Sequence, residues 1–121
     1  MKVFNHRFSA TAGMLVLAAG VSFTAQAGAA ETGASAGKKI AFDRKKGNCL
    51  ACHMIEGGKL AGNIAPPLIG MKSRFPDRAK LRAQIWDASR ANPTTIMPPF
   101  GRHKILSDKE VDLVTEFVHS L

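Results

Sequence analysis

Hydrophobic residues recur most regularly near the end of the chain. Val111, Val114, Val118 and Leu121 fall at spacings of three, four and three, and Leu113 and Phe117 widen the same apolar face. This is the repeat of a helix with one side turned inward. Ser107-Asp108-Lys109-Glu110 precedes it, a capping box in which serine and glutamate satisfy each other's backbone amides at the first turn. A weaker stripe of Leu81, Ile85 and Ala88 follows Phe75-Pro76-Asp77. Asp77 is placed to cap a helix predicted to run to about Ala88. Trp86 reads as a packing residue of that helix, with Arg82 and Arg90 on its wet side.

The stretch from Lys38 to Lys46 suits a short helix ended by Gly47, its basic residues gathered toward the negative end of the helix dipole. Residues 28–37 are dominated by Ala, Gly, Ser and Thr, with no apolar face, and read as a flexible lead-in. Between Glu56 and Gly70 the glycines and Pro66-Pro67 disfavour regular structure and predict a fixed loop. No alternating strand pattern of useful length and no internal repeat occurs. The predicted fold class is all-α.

The start of the chain has another character. Lys2 and Arg7 precede the apolar run Met14-Leu15-Val16-Leu17-Ala18-Ala19, and Ala25-Gln26-Ala27 follows. This is the pattern of an export signal cleaved after residue 27, with Ala29 or Ala30 as alternative sites. The apolar run is shorter than the ~20 residues of a spanning helix. Cleavage after Ala27 leaves 94 residues, enough for one domain, expected over 38–121, and too few for two cores. So short a chain has little apolar surface of its own to bury, so a large flat cofactor would supply part of the core.

The formal charge of the whole chain is +8, and removal of Lys2 and Arg7 leaves +6. No basic recognition helix or long basic run accompanies it, and an exported protein meets no genome, which argues against nucleic acid. An acidic partner protein or steering of small anions fits better.

The chemistry lies in Cys49-Leu50-Ala51-Cys52-His53, which contains the chain's only two cysteines. Two thiols three positions apart can each add to a vinyl group of one porphyrin, placing the following histidine beneath the iron. The pattern predicts one covalent haem c bound through Cys49 and Cys52, with His53 as an iron ligand. A thioredoxin-like pair would need a βαβ setting, and a structural zinc site needs a second ligand pair. A plain disulfide leaves the histidine unexplained.

An iron-bound histidine normally donates its other ring proton to a carbonyl or carboxylate, and the carbonyl of Pro66 is the candidate here. Electron transfer also requires the opposite axial position to be filled, and a thioether there raises the potential. Met54 is too close to His53 to reach the other face. Met71 lies before the Asp77 helix. Met97 is preferred, in the proline-stiffened loop Asn92-Pro93-Thr94-Thr95-Ile96-Met97-Pro98-Pro99-Phe100-Gly101, which loses less entropy on ligation. His103 is the rival ligand, and His119 reads as a cation at the end of the last helix. With both thiols consumed and the sixth position filled, no catalytic residue is expected in this chain.

Gly47-Asn48-Cys49-Leu50-Ala51-Cys52-His53, Gly62-Asn63-Ile64-Ala65-Pro66-Pro67-Leu68, Arg74-Phe75-Pro76-Asp77, Gln84-Ile85-Trp86-Asp87-Ala88 and Met97-Pro98-Pro99-Phe100-Gly101-Arg102-His103 together resemble the mono-haem X subunits (SoxX) of sulfur-oxidation SoxAX complexes. The resemblance implies a class I cytochrome c fold with His53 and Met97 as axial ligands. It also implies a periplasmic heterodimer with a larger haem-bearing SoxA-like subunit. That complex, an L-cysteine S-thiosulfotransferase, oxidatively joins thiosulfate to a cysteine of a carrier protein, with the catalytic site on the A subunit. The X subunit would take up the released electrons and pass them to a downstream cytochrome. The other reading of the same residues is a free periplasmic electron carrier.

Overall fold

The computed structural model describes residues 32–121, so the export segment read over 1–27 lies outside the described residues. Four helices form the frame: α1 (Gly33–Phe42), α2 (Met71–Arg74), α3 (Arg78–Trp86) and α4 (Asp108–His119). Single 3₁₀ turns occur at Cys49–Ala51 and Ala88–Arg90. Among the described residues there is no strand, and the fold is all-α, consistent with a cytochrome c fold.

Helix α4 follows its sequence pattern closely. Ser107 Oγ accepts from the amide of Glu110, whose carboxylate accepts from the amide of Ser107 at 3.0 Å. Val111, Val114, Phe117 and Val118 are buried, each valine contributing roughly 1.5–3 kcal/mol relative to exposure. Helix α3 is likewise capped by Asp77, whose side chain accepts from the amide of Ala79 at 2.8 Å. Leu81 and Ile85 are buried, and α3 ends at Trp86, with Ala88 beginning the next turn. Arg82 is not simply solvated: it pairs with Asp112 at 2.5 Å and Asp108 at 3.2 Å, tying α3 to α4.

Helix α1 departs from the sequence reading at both ends. It begins at Gly33, where Thr32 Oγ1 accepts from the Ser35 amide, so the lead-in read over 28–37 is helical from Gly33 onward. It ends at Phe42 rather than Gly47, and Arg44, Lys45 and Lys46 lie in the following turn. The reason is tertiary. Gly37 is buried where α1 crosses α4, and a β-carbon there would lie 2.0 Å from the carbonyl oxygen of Leu113. Small residues let the two backbones approach, while the edge of one ring meets the face of the other at Phe42 and Phe117, with centroids 5.9 Å apart.

The remaining chain, Cys49 to Gly70 and Asn92 to Arg102, wraps one side of this frame. Helix α2 joins it to the end of the chain, because the amide of Met71 donates to the carbonyl of Leu121 at 2.8 Å.

Candidate haem site

The wrapping segments and the frame enclose a cleft of about 770 Å³, within the ~300–1,000 Å³ typical of sites for organic ligands. Leu81 and Ile85 from α3, Val114 and Val118 from α4, and Phe100 and Leu106 after the Met97 loop line it. Three more apolar side chains, Ile64, Ile96 and Ile105, stand exposed on its wall.

Cys49, Cys52 and His53 enter this cleft from a tight turn. Gly47 donates to Ile40 O at 3.1 Å, bringing the chain back against the end of α1, and Asn48 adopts a left-handed conformation (φ 46°). The 3₁₀ turn then presents both cysteines, which are not joined to each other. Burial pushes the Cys49 thiol up to about 11. It is therefore a protonated thiol at neutral pH, a poor match for the exposed, low-pKa thiolate of a redox dithiol site.

His53 Nδ1 lies 2.7 Å from the carbonyl oxygen of Pro66. With that nitrogen donating, Nε2 carries the free lone pair, the tautomer a ring needs to ligate through Nε2. The carbonyl is itself held: Ala65 donates to Cys52 O at 3.1 Å, Leu68 to Met54 O at 2.9 Å, and Arg74 Nη1 to the neighbouring Pro67 O at 2.7 Å. The role of Arg74 was not assigned from sequence, although an arginine just before Phe75-Pro76 marks it.

Met97 also lines the cleft and is half-buried, its amide donating to Thr95 Oγ1 at 3.2 Å. The other sulfur and imidazole candidates are placed differently. Met54 and His103 are exposed and stand outside the cleft. Met71 borders it but is 2% exposed, and its sulfur receives Arg74 Nη1 at 3.4 Å, so the core already uses it. His119 Nε2 is directed to the carbonyl of Phe75 at 3.1 Å, which gives it a structural partner beyond the helix dipole.

The cleft thus brings together Cys49, Cys52, His53, the Pro66 segment and Met97, with apolar walls between. A flat apolar macrocycle with two reactive vinyl groups and an iron fits this set on chemistry: thiols for tethering, a nitrogen and a thioether for the metal, hydrocarbon for the faces. The sequence profile of the family described as Cytochrome c matches residues 34–121. The chain belongs to the cytochrome c family.

Members of that family carry covalently bound haem c. This cytochrome is similar to a chain in the crystal structure of SoxXA from P. pantotrophus, with a TM-score of 0.64 and 28% identity, over 70% of this chain and 78% of that one. It is a SoxX-like class I cytochrome c. It is also 33% identical over 76 residues to an uncharacterized lipoprotein of Aquifex aeolicus (strain VF5). That match covers 62% of this chain and 37% of the lipoprotein's length. No helix of the described residues is long and apolar enough to cross a membrane.

Proposed function

We propose that this cytochrome is the electron-transfer mono-haem subunit of a SoxAX-type thiosulfate-oxidising complex in the periplasm. The observation that carries the reading is the likeness to SoxXA, which extends over most of both chains. A bound haem c supplies a reversible one-electron couple. Cys49 and Cys52 would tether it, His53 and Met97 would be its iron ligands, and Pro66 O holds the His53 ring in orientation and makes it electron-rich.

Joining thiosulfate to a carrier thiol as an S-thiosulfonate releases two electrons and one proton. This chain offers no nucleophile for that bond once its thiols are used, so the chemistry falls to a SoxA-like partner. With a one-electron couple held at this site, the chain would pass those electrons singly toward a downstream cytochrome. The basic charge suits docking with acidic surfaces in that relay.

The test is native affinity purification of the tagged protein from the periplasm of its own host, followed by haem staining of the denatured chains. A second haem-bearing chain in equal amount is the expected result. A lone haem-staining band would replace the proposal with the free electron carrier.

A further inference from the structure

One buried carboxylate outside the cleft touches both ends of the segment that carries Met97. Asp87 is 3% exposed, directly after the last residue of α3. Its Oδ1 accepts from the amide of Ser89 at 3.2 Å and from Ser89 Oγ at 2.5 Å, which starts the 3₁₀ turn Ala88–Arg90 leading out to Asn92. Its Oδ2 lies 3.2 Å from Nε of Arg102, where the loop returns. The backbone closes beside it: the amides of Gly101 and Arg102 both donate to the carbonyl of Trp86, at 3.0 and 3.3 Å. Gly101 lies against the Trp86 ring so closely that a β-carbon would come within 1.9 Å of it.

We propose that Asp87 is a positioning residue for the Met97 thioether, tying the outgoing and returning ends of the loop through Ser89 and Arg102. This rests on Met97 being the distal ligand. Between the tied ends the loop holds itself with short local bonds, Thr94 to Asn92 Oδ1 at 3.1 Å and Met97 to Thr95 Oγ1 at 3.2 Å. Local turns set its shape, and the base, together with the packing of Met97 and Phe100 on the core, sets where that shape stands relative to the cleft. The Ser89 bonds and the Arg102 charge both favour ionised Asp87 and lower its pKa, so the tie is charged at neutral pH and its hydrogen bonds are the stronger kind. A thioether is a weak ligand, and its residence on iron depends on how little freedom the loop regains on release.

The experiment uses the haem-loaded ferric protein and reads two signals: the sulfur-to-iron charge-transfer band, and the rate at which cyanide displaces the native ligand. Met97→Ala marks the fully open limit. Asp87→Asn and Arg102→Gln are each expected to raise the displacement rate by roughly tenfold or more, the usual scale for losing a residue that orients a metal ligand. The double variant should add little, since both break one pair. Arg82→Gln, which severs ion pairs between α3 and α4 without touching the loop, should keep the wild-type rate. The Arg102 side chain is half-exposed, so that variant carries the test even if Asp87→Asn does not fold. Unchanged rates in Asp87→Asn and Arg102→Gln, with the band present in the wild type, overturn the inference alone. So does equal acceleration in Arg82→Gln, which would make the effect one of general loosening. Absence of the band from the wild type overturns Met97 as ligand and the inference with it.

Discussion

Where α1 crosses α4, the contact is close packing of small and apolar groups, with buried Gly37 against the Leu113 backbone and the Phe42 ring against Phe117. Across the cleft, the segment from Asn92 to Arg102 has almost no buried apolar residue before Phe100, and Ile96 stands 77% exposed. The first region is held by the area it removes from water. The second is held by prolines, short side-chain turns and a charged base. A frame built the first way has far more buried area behind its shape than a loop built the second way, although its own Leu81, Ile85, Val114 and Val118 also line the cleft and rely on a guest to cover them. The cofactor is what such a loop can close on.

Two glycines of similar tightness break the comparison most directly, because one sits in each region. Gly37→Ala should be the more damaging. Its β-carbon would meet the Leu113 carbonyl at 2.0 Å, and backbone of a packed helix cannot swing aside. A loss of about 3 kcal/mol in the denaturant unfolding of the haem-loaded protein is expected, at the upper end for an overpacked core. Gly101→Ala meets the Trp86 ring at 1.9 Å, and a half-buried side chain can turn. The expected loss is about 1–2 kcal/mol, accompanied by a weakened sulfur-to-iron band that Gly37→Ala leaves in place while the protein is folded. Equal loss of the band in both would mean that frame and loop are one cooperative unit.

The same contrast decides what could be read without coordinates. Helix α4 was legible because its apolar repeat and its capping box point the same way, and α3 because Asp77 and Leu81 do. The start of α1 was not. Gly33-Ala34-Ser35-Ala36-Gly37 has no apolar stripe and poor helix propensity, and those small side chains are what the crossing with α4 requires. Local preference and tertiary need are opposed there, and tertiary need prevails. At the site, Cys49, Cys52 and His53 announce themselves by spacing, and proline marks the carbonyl that meets His53. Asp87 carries no such mark. Its importance depends on Ser89 and Arg102 meeting it at the base of a loop, and a separation of fifteen residues from Asp87 to Arg102 has no periodicity to reveal it.

The smallest expected effect concerns the joint between the two regions. Lys46, in the turn leading to Cys49, pairs with Glu110 at the start of α4. The Lys46 ammonium, followed by the Ser107 amide, holds the Glu110 carboxyl down at about 2, below its ordinary 4.5. A depressed carboxyl stabilises the fold fully above its unfolded pKa and loses that contribution as pH falls toward the folded one. The window is therefore about pH 4.5 to 2. Lys46 is 49% exposed, so solvent screening leaves only a small part of the pairing. Glu110→Gln keeps the capping box, since glutamine also serves at that position, and removes only the charge. Its unfolding free energy should sit slightly below wild type at pH 7 and converge with it near pH 2. Parallel curves across that range would assign the contact to the cap alone, leaving the turn before Cys49 joined to the frame through backbone bonds such as Gly47 to Ile40 and Asn48 to Asp43.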